Sequence, residues 1–92
     1  MNAAHLDNFK SSKPNRVAIF DVTNELDGAR WFEIASGKDA DEAKERFYSR
    51  FMIRSVDQEM ISIAQQNNRL FIAKFVPGHA LKIIERRATL IA

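Results

Sequence analysis

Arg46, Arg50 and Arg54 recur every fourth residue through a stretch that also carries Ala43, Phe47 and Phe51. On a helix, residues four apart stack along one face, each about 6 Å beyond the last, close to the phosphate spacing of a single nucleic-acid strand. Only Arg46 has a carboxylate four residues ahead of it, Glu42. Three guanidiniums in a row repel one another unless something anionic sits opposite. The stripe therefore fits a phosphate backbone or an acidic protein surface, and it fits equally a solvated helix face with nothing docked on it. Arg69, Lys74, Lys82, Arg86 and Arg87 would extend the patch from neighbouring strands. Trp31 and Tyr48 fall outside the apolar stripes described below and are the aromatic candidates for an interface, with a structural role equally open.

Other chemistries find little to work with. Ser36-Gly37-Lys38-Asp39 sits between a predicted strand and a predicted helix, where a phosphate loop would lie. The Walker pattern needs glycine at the position of Phe32 and Ser or Thr at that of Asp39, and a carboxylate there repels phosphate. His5 and His79 have no second ligand at metal spacing and read as solvated residues. Asp39, Asp41 and Glu42 are explained by helix capping, without an acid/base role. There is no cysteine, hence no thiolate ligand, disulfide or thiol nucleophile. Neither a helix-turn-helix with a turn glycine nor an aromatic RNP pattern is present. The residues predict a binding protein without catalytic, metal or cofactor sites.

Ninety-two residues, 46% apolar and 28% charged, make one small globular domain. No apolar run suggests a signal peptide or a membrane span, so a cytoplasmic setting is expected. The net charge of +2 hides a segregation. Residues 1–16 carry +2, residues 17–45 carry −5 and residues 46–92 carry +5. Such a chain can present one basic face despite a mild overall charge.

The elements that would position these residues follow from pattern. Residues 1–15 are polar and read as a mobile arm, with 16–92 as the domain. Val17–Thr23 is a β-branched and aromatic strand, turning at Asp27-Gly28 into a second over Ala29–Ala35. Ala18, Phe20 and Val22 are placed on one face with Phe32 and Ile34, leaving Trp31 and Glu33 on the other. Asp39 caps a helix, with Glu42 reaching back, that runs to about Arg50–Arg54. For residues 55–66 a helix with Val56, Met60, Ile63 and Ala64 on one face is preferred to a strand. Leu70–Val76 is a strand, Pro77-Gly78 a turn, and Ala80–Arg87 a returning strand, a terminal helix being the alternative. The expected fold is α+β, an antiparallel sheet of about four strands with one or two helices on one face.

The polar arm Met1–Lys13, the hairpin at Asp27-Gly28 and the helix Asp39–Arg46 with its following arginines resemble the small phage-encoded anti-CRISPR proteins, in length and build the type I-F inhibitor group. That group shares no motif, so no residue role is carried over by position. The resemblance implies a stoichiometric inhibitor docking on a crRNA-guided type I surveillance complex, through Cas subunits, crRNA or both, and blocking target DNA recognition. A small basic regulator binding nucleic acid directly is the alternative, and a structural phage protein a third reading.

Overall fold

A two-residue hairpin loop decides which side chains meet in this protein. The computed structural model describes residues 16–26, 28–51, 54–76, 78 and 81–91. The expected arm and both histidines lie outside them. Strand β1 (Val17–Glu25) pairs antiparallel with β2 (Gly28–Gly37), and Glu25 lies opposite Gly28, whose φ of 124° is open to glycine. With only positions 26 and 27 between the paired ends, odd residues on one strand oppose even residues on the other. Val22 therefore meets Trp31, and Asp21 meets Phe32. This overturns the expected facing: Trp31 lies with Phe20 and Val22, while Phe32 lies on the opposite side. At Ile34 the register shifts, since Glu33 opposes Phe20 but Ala35 opposes Ile19. The extra residue of this β-bulge lets Ile34 and Ala35 both pack toward the same cluster.

Helix α1 (Ala40–Arg46) starts at Asp39, whose carboxylate accepts from the Glu42 backbone N–H at 2.8 Å. Glu42 reaches back as expected, but one residue earlier than in the usual capping box, accepting from the Lys38 N–H at 3.2 Å. Gly37 permits the close approach of strand to helix. A Cβ there would stand 2.7 Å from the Glu42 Cβ and 2.8 Å from the Ala43 nitrogen. The helix then widens into a π-helical turn over Phe47–Phe51. Phe47 and Phe51 stack with centroids 5.8 Å apart, and the Tyr48 hydroxyl donates to the Leu90 carbonyl at 2.6 Å.

Helix α2 (Ser55–Gln66) resolves the ambiguous segment in favour of helix. It ends at Gln66; two residues on, Asn68 is left-handed at φ 57°, and the Arg69 N–H returns to the Ala64 carbonyl. Strands β3 (Leu70–Lys74) and β4 (Lys82–Glu85) complete an antiparallel sheet of order β2-β1-β3-β4. Beyond β4 the described residues form no terminal helix. Arg87 takes φ 53°, and an extended tail carries Ala88 and Leu90 into the core on the helix side. The Gln65 side chain holds that tail, accepting from the Leu90 and Ile91 N–H groups and donating to the Ile91 carbonyl at 2.7–3.0 Å.

The sheet separates two apolar clusters. Val17, Ile19, Leu70 and Ile72 pack under Ala43, Phe47, Ile61 and Ala64 of the helical layer. On the other face Ala18, Phe20, Trp31, Ala73 and Phe75 form an aromatic cluster to which no helix of the described residues contributes. The fold is α+β, a four-stranded antiparallel sheet with its two helices on one face.

Candidate binding groove

The geometry divides the expected basic patch. Arg46 and Arg50 stay together, lining a small polar pocket of about 250 Å³ with Glu33, Ser36 and Phe51. Arg46 is partly committed: it pairs with Glu42 at 3.2 Å and donates to the Ser36 carbonyl at 3.1 Å. Arg50 has no ion-pair partner among the described residues.

Arg54 does not continue the stripe. It is the N-cap residue of α2 in extended conformation (φ −92°, ψ 143°), beyond the π-turn. Its guanidinium forms a fork with the Asp57 carboxylate at 2.8 and 3.0 Å. The hydrogen bond to Asp57 and the charge of that carboxylate raise the Arg54 pKa above its ordinary value. The expected three-arginine face is thus an expectation corrected, because the helical run, π-helical over Phe47–Phe51, does not include Arg54, which is extended at the start of α2.

The remaining bases point to separate places. Arg69 is half-buried against Asp21 at 3.1 Å. Lys74 and Lys82 lie opposite one another in the β3–β4 register. Arg86 lies over the Phe71 ring, 6.0 Å from its centroid, with the aromatic cluster on the far face. Arg87 sits exposed in the bend that follows β4. Trp31, expected off the core, is 4% exposed and packs edge-to-face on Phe20 at 5.5 Å, so it is a core residue. Tyr48 is half-exposed, with its hydroxyl tied to the tail.

In place of the patch, a groove of about 510 Å³ opens between β2 and α2. Phe32 and Ile34 form one wall, Met60 and Ile63 the other, and Phe51 closes one end beside the arginine pocket. The Asp21–Arg69 pair lines it as well, each charge answered by the other. Phe32 is 57%, Met60 55% and Ile63 46% exposed. On α2, Ile61 and Ala64 face the core, while Val56, Met60 and Ile63 form a second, outward stripe. The sequence groups Val56, Met60, Ile63 and Ala64 on one face, and of these Ala64 is buried, beside Ile61, which that grouping leaves out. Phe32 was missed for the hairpin-parity reason given above.

Among the described residues no cluster of histidines and carboxylates could hold a metal ion, and no helix is long and apolar enough to cross a membrane. Comparison with known proteins finds no matching family model, no matching curated protein and no matching solved structure. The functional reading rests on the groove.

Proposed function

We propose that this chain works by stoichiometric docking, using the β2–α2 groove to seat on a protein subunit of a larger assembly. The observation that carries this is the exposure of Phe32, Met60 and Ile63 around one concavity. Contiguous large apolar side chains left in water mark an interaction surface, whereas scattered ones need no explanation. Read with the resemblance to type I-F anti-CRISPR proteins, the assembly is a crRNA-guided surveillance complex, and the consequence of docking is loss of target DNA recognition. A cytoplasmic setting goes with that reading.

The dispersal of the arginines favours a Cas protein surface over crRNA as the main contact. Phosphate tracking needs cations in a line, and among the described residues Arg46 and Arg50 share a pocket while Arg54, Arg69 and Arg86 are held elsewhere.

The test is titration of the chain against an assembled type I-F complex and, separately, against its naked crRNA. The complex should bind and the RNA should not. A folded Phe32→Asp/Met60→Asp variant should bind the complex about a hundredfold more weakly, as expected for central apolar anchors. Equal binding to naked RNA, no binding to the complex, or full binding by the folded double variant each overturns the proposal.

A further inference from the structure

The apolar groove does not end at Phe51. Glu33, Ile34 and Phe51 line both it and the polar pocket of Arg46 and Arg50, so the two concavities adjoin along β2. From Phe32 to Ser36 the strand advances about 13 Å. Over that distance the surface passes from apolar side chains to guanidiniums. The groove's volume of about 510 Å³ lies within the range of about 300–1,000 Å³ typical of small-molecule sites, which combine apolar walls with a few polar groups.

Charge decides which end receives a polar group. At the far end Arg69 and Asp21 answer each other at 3.1 Å. At the near end Arg46 is engaged by Glu42 and by the Ser36 carbonyl. Glu33 is the acidic residue of the pocket lining, and its carboxylate is engaged with Arg16 at 2.8 Å. Arg16 in turn lies over the Phe75 ring, 4.4 Å from its centroid, in the cluster on the other face of the sheet. Arg50 has no ion-pair partner among the described residues. One guanidinium charge is therefore left over beside an apolar trough. A single carboxylate complements it in charge and, through paired N–H···O bonds, in shape.

We infer that groove and pocket together form one binding site for a small amphipathic carboxylate, its apolar chain against Phe32, Ile34, Met60 and Ile63 and its head on Arg50. The assignment stands on the two adjoining concavities and does not need the docking reading. It adds a means of regulation to that reading. The ligand fills the groove that would seat a partner, so ligand and partner exclude one another.

The probe is decanoate, kept below the concentration at which it forms micelles. It is titrated into the full 92-residue protein and followed by amide chemical shifts. The shifts should concentrate at Phe32, Ile34, Phe51, Met60 and Ile63. Decanol, with the same chain and no charge, should bind at least about tenfold more weakly, the typical worth of one charge-assisted hydrogen bond. Arg50→Glu should weaken decanoate by at least about tenfold and leave decanol unchanged. Lys74→Glu, at a base in the β3–β4 register, should alter neither. Met60→Asp should abolish binding of both. Shifts that do not saturate, shifts centred on another face, or decanol binding as tightly as decanoate would each overturn the site. So would an equal loss of both ligands in Arg50→Glu, or binding retained by a folded Met60→Asp variant. Docking on the surveillance complex without decanoate binding leaves the functional reading standing and this one fallen. Decanoate binding without docking does the reverse.

Discussion

Trp31 and Phe32 are adjacent, similar in apolar content, and opposite in fate. Trp31 is sealed against Phe20 and Phe71, whereas Phe32 stands more than half in water at the groove mouth. Truncating the first empties a close-packed aromatic cluster, and truncating the second mainly removes a surface already solvated. Trp31→Ala should therefore cost about 3–5 kcal/mol, a large part of the stability of a domain this small. Phe32→Ala should stay within about 1 kcal/mol, as surface substitutions usually do. Urea denaturation of both variants checks this. A larger loss from Phe32→Ala would mean that the hairpin pairs in the other register.

At the scale of elements, the sequence makes some features legible and hides others for identifiable reasons. The strands expected over 17–23 and 70–76, observed over 17–25 and 70–74, the Asp39 cap and the turn at Gly28 are legible because each depends on local residue chemistry. The four-stranded α+β layout was visible as well. The facing of β2 was not, although counting the two residues between Glu25 and Gly28 would have supplied the parity. Its bulge at Ile34 obeys no local signal. The π-turn was hidden too; Tyr48 within it bonds the Leu90 carbonyl, 42 residues away, and no local pattern carries such a link. That turn separates Arg54 from Arg46 and Arg50 and so dissolves the stripe from which a binding face had been read.

The tail itself depends on one amide side chain. Gln65→Ala would leave three backbone groups of Leu90 and Ile91 without their partner. The expected loss is about 1–3 kcal/mol, together with faster exchange at the Leu90 and Ile91 amides while those of β1 and β3 stay protected. Unchanged stability, or a tail still protected in this variant, would show that Ala88 and Leu90 alone anchor it.

At the scale of the molecule, the question is whether charge segregation along the chain becomes segregation in space. The last 47 positions, residues 46–92, hold eight bases. Folding disperses them: Arg54 and Arg69 are neutralised by Asp57 and Asp21, Arg86 goes to the far face of the sheet, and Lys74 and Lys82 face each other across β3 and β4. Arg46 and Arg50 are the pair that share a pocket. Counterion release turns this into a measurement. Each single-strand phosphate neutralised adds about −0.7 to the slope of log K against log salt, so two arginines give about −1.4, while a converged face of eight bases would give between about −5 and −6. Titration of single-stranded RNA from about 50 to 200 mM salt should return a slope shallower than about −2, with weak affinity throughout. The Arg46→Glu/Arg50→Glu variant should remove most of what slope there is. A slope near −5 would mean that the dispersed cations act as one surface, and the main contact would then be nucleic acid rather than protein.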